Sequence, residues 1–251
     1  MTILVVDAGN SRIKWAILTG GMLEHAGQAA RPGEDFQAFA EQHWATLTPP
    51  VRIVVANVAG SAFGKRLASW AKQAWDIETE FVVPQREACG IRNAYLAPHK
   101  LGVDRWVGMI AAHRHTKGPV CVIDCGTAIT IDALTASGEH QGGLIIPGLT
   151  MMRRALLTDT QDIDSKMDDE TGCCAILARD TQGGVNGGTL YTVISVIDRV
   201  TTDLATELGN NMTCLITGGD APALLPLLAG QYRHEPRLVL QGLAIFAGDS
   251  A

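Results

Sequence analysis

One local pattern occurs twice in this chain and constrains its fold more than any other feature. Residues 5–14 (VVDAGNSRIK) and residues 122–131 (VIDCGTAITI) share an apolar run, then Asp, any residue, Gly and small polar residues. Each copy predicts a buried strand, a tight turn and a return strand. Because the second copy lies near the middle of the 251 residues, we expect two related halves, with a chance match as the alternative.

The remaining apolar runs are typical of an α/β protein, in which short buried strands alternate with amphipathic helices. Strands are predicted at 52–56, 81–83, 120–123, 130–134, 143–146 and 214–216. Helices are predicted at 61–75, where Ser61 is a possible cap, from 103 up to Gly118, and at 188–208.

Charge and composition exclude several classes of function. The formal net charge is −6, whereas a nucleic-acid surface needs clustered Lys and Arg, so we expect no nucleic-acid partner. No apolar stretch approaches the length of a membrane span, and the N-terminus lacks the pattern of a signal peptide. We therefore expect a cytoplasmic protein without a membrane partner. The six cysteines include no Cys-x-x-Cys pair, which favours reduced, structural thiols.

The two Asp-x-Gly turns have residues suited to phosphate binding. A glycine lets backbone N–H groups approach an anion, and the small hydroxyl and amide side chains add donors. Lys14 would bring its ammonium group close to the first turn, and Asp7 could hold a hydrated Mg²⁺ ion. Two such turns facing each other would bind a polyphosphate from both sides. Either turn could instead be an ordinary hairpin, for which Gly and Asn are the usual residues.

Six segments together resemble the type III pantothenate kinases over nearly the full chain. They are Asp7–Lys14, Leu101–Trp106, Asp124–Thr130, Gly142–Gly148, Asp180–Gly184 and Thr217–Gly219. Ser11 stands where the family more often has Thr, which keeps the hydroxyl. The resemblance implies two duplicated ribonuclease-H-like (actin-like ATPase) domains, each with a mixed β-sheet flanked by helices. We expect these domains at 1–115 and 116–251.

The resemblance also implies the site residues and their ligands. The ATP phosphates would contact Asp7, Ala8, Gly9, Asn10, Ser11, Arg12, Ile13, Lys14 and Thr127. Asp7 would lie near Mg²⁺, and Asp124 matches a position that binds a monovalent cation, K⁺ or NH₄⁺. Pantothenate would contact Tyr95, Gly102, Val103, Asp104, Arg105 and Thr181. Asp104 would be the catalytic base, and a homodimer is expected in which the partner helps to shape the pantothenate pocket.

Each of these side chains also has a purely structural interpretation. Asp104 lies where a helix is expected to begin, and an acidic residue there could simply stabilise its own helix. Arg105 could belong to a surface ion pair, Tyr95 could be a half-buried ring, and Thr181 could be a helix cap.

The Asp-rich stretch 159–170 could hold a cation, but a solvated loop is the simpler interpretation.

The function implied by the resemblance is ATP-dependent phosphorylation of pantothenate to 4′-phosphopantothenate, the first step of coenzyme A biosynthesis. A kinase acting on a different small alcohol is one alternative. A non-enzymatic, nucleotide-binding accessory factor for transcription is the other, and the acidic charge counts against it.

Overall fold

The computed structural model describes residues 2–159 and 177–249, and these residues form two compact units. The first unit contains Met1–Lys117, Leu134–Gly142 and Arg237–Ala251, and the second contains Gly118–Ala133 and Gly143–Pro236. The domain boundary expected at 115/116 stays a prediction. Cys173, Cys174 and the Asp-rich stretch from residue 160 onward lie outside the described residues.

The first unit is built on a mixed five-stranded sheet in the order β3-β2-β1-β4-β5. Its strands are β1 (Thr2–Ala8), β2 (Arg12–Thr19), β3 (Met22–Ala30), β4 (Arg52–Asn57) and β5 (Thr79–Phe81). β1 and β2 form the antiparallel hairpin that residues 5–14 predict, and β4 pairs in parallel with β1. β5 ends at Phe81, earlier than predicted, because only one further ladder bond follows, from Val82 N–H to the Val55 carbonyl, before Pro84.

Among the described residues, four α-helices accompany this sheet, together with the small hairpin of β6 (Glu87–Ala88) and β7 (Ile91–Arg92). The helices are α1 (Phe36–Trp44), α2 (Ser61–Trp75), α3 (Val103–His115) and α7 (Leu238–Asp249). α2 has the predicted bounds, but the expectation that Ser61 caps it is wrong. The N-cap is Gly60, whose φ of 95° suits glycine, and no side chain caps the helix.

An aromatic cluster forms the core between this sheet and α1 and α2. Trp15 packs edge-on against Trp44, with ring centroids 6.0 Å apart, and Trp44 packs against Trp70 at 5.4 Å. Trp75 packs on Trp70 at the border of the cluster. These tryptophans therefore serve packing, and each buried ring contributes on the order of 3 kcal/mol.

The second unit repeats the arrangement with a sheet in the order β10-β9-β8-β11-β12. The strands of this sheet are β8 (Val120–Cys125), β9 (Ala128–Leu134), β10 (His140–Pro147), β11 (Thr213–Thr217) and β12 (Arg233–His234). Leu134 at the end of β9 and residues 140–142 at the start of β10 are grouped with the first unit. Its helices are α4 (Leu149–Asp159), α5 (Thr181–Leu208) and α6 (Ala221–Leu224). β11 pairs in parallel with β8, as β4 does with β1 in the first unit.

α5 begins at Thr181, about two turns before the predicted start at 188. The Asp180 side chain caps it by accepting a hydrogen bond from Gly183 N–H at 2.7 Å. Four glycines in the first two turns conceal this start, because glycine is a poor helix former.

Among residues 2–159 and 177–249, no helix combines the length and the apolar character that a membrane span requires. The expected fold class is confirmed, since both sheets are mixed and carry helices.

Candidate active site

The first Asp-x-Gly turn is a tight loop between β1 and β2. Gly9 N–H donates to the Arg12 carbonyl at 3.0 Å and closes the loop. A Cβ atom on Gly9 would lie 2.9 Å from that same oxygen, so residue 9 needs to be glycine for reasons of space. Asn10, Ser11 and Arg12 are exposed at the tip, where an amide, a hydroxyl and a guanidinium group can reach an anion.

Asp7 and Lys14 lie directly opposite each other across the β1–β2 ladder. Their side chains therefore share one face of the sheet, and Cβ atoms in such pairs are about 5 Å apart. Asp7 is only 8% exposed, while Lys14 is half-buried. Ala8 and Ile13 are fully buried in the core, so only their backbone groups can serve a ligand.

The second Asp-x-Gly turn joins β8 to β9 through Gly126 and Thr127. Gly126 N–H donates to the Ala128 carbonyl at 3.2 Å, and the Thr127 side chain is exposed. Thr127 is thus placed at the tip of its turn, as Asn10 and Ser11 are in the first unit. A hydroxyl at such a position can donate to a phosphate oxygen.

Two glycines from separate motifs hold the second turn in place. Gly148 N–H donates to the Thr127 carbonyl at 3.0 Å, and a Cβ on Gly148 would overlap the carbonyl oxygens of Gly126 and Thr127. A Cβ on Gly218, whose φ is 98°, would likewise overlap the backbone of Cys125. Any side chain at position 148 or 218 would therefore displace the turn that carries Thr127.

Two carboxylates lie near Cys125 at the end of β8. Burial raises the pKa of the Cys125 thiol, and the negative charges of Asp124 and Asp220 raise it further. Asp220 N–H also donates to the Cys125 carbonyl at 3.0 Å. Asp220 directly follows Thr217-Gly-Gly at the end of β11, a pattern that favours phosphate binding.

These carboxylates are oxygen donors of the kind that hard cations prefer. No group of three or more His, Cys, Asp or Glu side chains suited to a metal ion occurs within 2–159 and 177–249. A cation beside Asp124 or Asp7 would therefore complete its coordination with carbonyl oxygens, water or the phosphates of a ligand. One or two carboxylates are enough for Mg²⁺, which keeps several of its waters.

The start of α3 holds the predicted base. Asp104 lies in the first turn of the helix, half-buried, and its Oδ1 accepts a hydrogen bond from Arg105 N–H at 2.8 Å. The Trp106 N–H to Gly102 carbonyl bond of 3.0 Å begins the helical ladder. A backbone donor and the positive end of the helix both favour the ionised carboxylate, which can accept a proton.

Arg105 is buried, with 7% of its surface exposed, so the alternative of a surface ion pair is wrong. Its Nη1 donates to the hydroxyl of Tyr95 at 2.9 Å. Tyr95 is half-buried, as its structural interpretation predicted, yet its hydroxyl is engaged with the guanidinium group. Tyr95, Gly102, Asp104 and Arg105 thus lie together in the first unit.

Thr181 belongs to the second unit and is exposed at the first position of α5. The interpretation of Thr181 as a helix cap is wrong, because Asp180 has that role. Thr181 lines a cavity of about 950 Å³ between α4 and α5. Most of the lining is apolar and includes Pro147, Met151, Met152, Leu156 and Val185.

Comparison with known proteins identifies the family. The family model described as type III pantothenate kinase matches residues 3–203. The chain belongs to this family. A type III pantothenate kinase from Nitrosococcus oceani is 43% identical over 99% of this chain and 95% of the relative. The matched range of the family model contains both Asp-x-Gly turns, the start of α3 and Thr181.

Solved structures show the same fold at low sequence identity. The ethanolamine utilization protein EutJ from Carboxydothermus hydrogenoformans has a TM-score of 0.54 and 10% identity, covering 98% of this chain and 90% of that one. An archaeal actin homologue has a TM-score of 0.50 and 13% identity, covering 99% of each chain. This pantothenate kinase family member therefore has the actin-like architecture that the resemblance implied.

Proposed function

We propose that this chain transfers the γ-phosphate of ATP to the primary hydroxyl group of pantothenate, giving 4′-phosphopantothenate and ADP, the first step of coenzyme A biosynthesis. Family membership supports both the phosphoryl transfer and the acceptor. The single observation that carries the proposal is the pair Asp104 and Arg105 at the start of α3, a proton acceptor beside a buried guanidinium group. Pantothenate has a hydroxyl group whose proton Asp104 can accept and a carboxylate that Arg105 can bind.

Asp104 would act on the pantothenate hydroxyl. The hydroxyl oxygen forms a bond to the γ-phosphorus, the bond from that phosphorus to the ADP oxygen breaks, and the hydroxyl proton passes to the Asp104 carboxylate. An ionised Asp is a weak base, but the transition state of phosphoryl transfer is loose and the proton moves late. Orienting the hydroxyl is therefore the larger part of its contribution.

Arg105 would bind the pantothenate carboxylate. A guanidinium group has five N–H donors in a planar fork, and the Tyr95 hydroxyl takes one of them. Burial strengthens the attraction because little water competes for the charge. The bond to Tyr95 also limits rotation of the guanidinium plane, so less entropy is lost when substrate binds.

The two Asp-x-Gly turns would bind the ATP phosphates. The exposed Asn10, Ser11 and Thr127 side chains, the turn backbone and Lys14 supply donors and positive charge. Asp7 would lie near Mg²⁺ and Asp124 near a monovalent cation, K⁺ or NH₄⁺. When bound, these ions neutralise charge on the phosphates during transfer.

We also propose a cytoplasmic homodimer. Met151 and Leu156 on α4 and Tyr191 on α5 are exposed large apolar side chains. Met151 and Leu156 also line the cavity that Thr181 lines. An exposed apolar patch of this kind is typical of an interface. Light scattering after size-exclusion chromatography should give twice the chain mass, and Met151→Asp should shift it toward the monomer. A monomeric wild type would contradict this part of the proposal.

A coupled assay of ADP release tests the function. Release should depend on pantothenate and should exceed that with a panel of other small alcohols and acids. Nucleotide binding without any turnover would favour an accessory factor instead. Faster turnover with another alcohol would identify a kinase of different specificity.

A further inference from the structure

His140 lies outside every motif singled out in the sequence, yet it contacts the pantothenate-binding residues proposed above. It is the first residue of β10, belongs to the first unit and is only 5% exposed. Its ring lies nearly parallel to that of Tyr95, with 13° between the planes and 6.2 Å between the centroids. Offset stacking of this kind is a favoured arrangement of two rings.

His140 also contacts the backbone just before Tyr95. Ala94 N–H donates to Nδ1 of the imidazole at 3.4 Å. Nδ1 is therefore the acceptor in this hydrogen bond. The His140 side chain thus contacts both the ring of Tyr95 and the N–H group of Ala94, the residue before it.

Hydrogen bonds from Asn93 and Arg86 fix the backbone of this loop but not the plane of the Tyr95 ring. The buried Asn93 accepts from Tyr95 N–H at 2.9 Å through Oδ1 and donates to the Pro98 carbonyl at 3.2 Å. Arg86 donates to the Tyr95 carbonyl at 3.0 Å. Within 2–159 and 177–249, the Tyr95 ring stacks on His140 and contacts Arg105, whose Cζ lies 5.8 Å from the ring centroid.

We propose that His140 is a positioning residue for the acceptor substrate. By holding the plane of the Tyr95 ring, it fixes the direction of the Tyr95 hydroxyl and hence the orientation of the Arg105 guanidinium group. This inference rests on the proposed function, because it assumes that Arg105 binds the pantothenate carboxylate. A residue with this role affects substrate binding more than the chemical step, and it has no effect on ATP.

Steady-state kinetics of three variants test the proposal. His140→Ala should raise the KM for pantothenate by about three- to tenfold, the range expected when a ring contact is lost. The KM for ATP should stay unchanged and kcat should fall by less than about twofold. His140→Phe, which keeps the stack, should restore most of the affinity. His115→Ala, at the exposed end of α3, is the matched control and should behave as wild type.

A double-variant cycle shows whether His140 acts through Tyr95. In a Tyr95→Ala background, adding His140→Ala should change the KM for pantothenate by less than about 1.5-fold, because the ring to be positioned is gone. If His140→Ala misfolds, His140→Phe and His140→Asn still decide the question, since only the first keeps an aromatic ring. A KM that His140→Ala leaves unchanged, or equal changes in the KM values for ATP and pantothenate, would overturn the inference while the kinase activity stands. A wild-type protein without pantothenate-dependent turnover would overturn the proposed function and this inference with it.

Discussion

Gly102 and Asp104 are matched to each other at the start of α3. A Cβ atom on Gly102 would lie 2.7 Å from Asp104 Oδ1, too close for both atoms to keep their places. The backbone of Gly102 has φ of −56° and ψ of 131°, which any residue can adopt. Glycine is therefore needed at this position for the space beside the carboxylate and not for its backbone freedom.

Replacing Gly102 by Ala should lower activity without lowering stability. The new methyl group would rotate the Asp104 carboxylate away, so we expect kcat to fall by about tenfold or more, as for a misplaced catalytic group. The free energy of unfolding should change by less than about 1 kcal/mol. Gly108→Ala is the matched control, because a Cβ at Gly108 in the same helix meets no atom within 4 Å. Equal kcat in both variants would contradict the account of Gly102.

Replacing Asp104 by Asn removes the proton acceptor and keeps the shape of the side chain. We expect kcat to fall by about 10²- to 10⁴-fold, the usual contribution of a general base. The affinity for ATP, measured by calorimetry, should stay within about twofold. Asp203→Asn is the control, since Asp203 pairs with Arg199 on the exposed face of α5. Unchanged turnover in Asp104→Asn would remove this residue from the mechanism.

Replacing Arg105 by Lys keeps the positive charge but removes the planar fork of donors. We expect the KM for pantothenate to rise by about 10- to 100-fold, since hydrogen bonds to charged groups contribute on the order of 1.5–3 kcal/mol. An analogue of pantothenate whose carboxylate is reduced to an alcohol should be a poor substrate of the wild type. If Arg105→Lys still prefers pantothenate over this analogue as strongly as the wild type does, Arg105 does not bind the carboxylate.

Replacing Asp124 by Asn tests the proposed site for a monovalent cation. Removing a charged ligand weakens cation binding, so the KCl concentration for half-maximal activity should rise by about tenfold. ADP release is measured over a KCl series at constant ionic strength, with the Asp203→Asn variant alongside. An unchanged KCl dependence in Asp124→Asn would place the cation elsewhere.

Cys125 and Cys214 should differ in their rates of reaction with iodoacetamide at pH 8. Only the thiolate reacts, and the raised pKa of Cys125 keeps its thiol protonated at this pH. A hydrogen bond from Cys121 lowers the pKa of Cys214, which is also more accessible. Peptide mass spectrometry should therefore show Cys214 labelled well before Cys125. The reverse order would mean that Cys125 is not shielded at the turn.

Local sequence was sufficient to predict the elements with strong periodicity. The hairpin at 5–14, the strand at 52–56 and the bounds of α2 are all as predicted. β3 and α1 were not predicted. β3 has no β-branched residue, and it forms because β2 offers its edge as a partner. α1 is short. The Asp35 side chain caps it by accepting a hydrogen bond from Ala38 N–H, and Phe36 packs against Phe63 in the core.

The sequence by itself determined the two Asp-x-Gly turns, the start of α3 and the type of chemistry, because each depends on neighbouring residues in the chain. Only the tertiary structure decided what supports them. Gly148 and Gly218 approach the 125–127 turn from separate strands, and His140 reaches Tyr95 across 45 residues of chain. Such contacts depend on packing between distant segments. Gly148 and Gly218 lie in segments that the sequence singles out, but which backbone each of them meets is decided only when the segments pack.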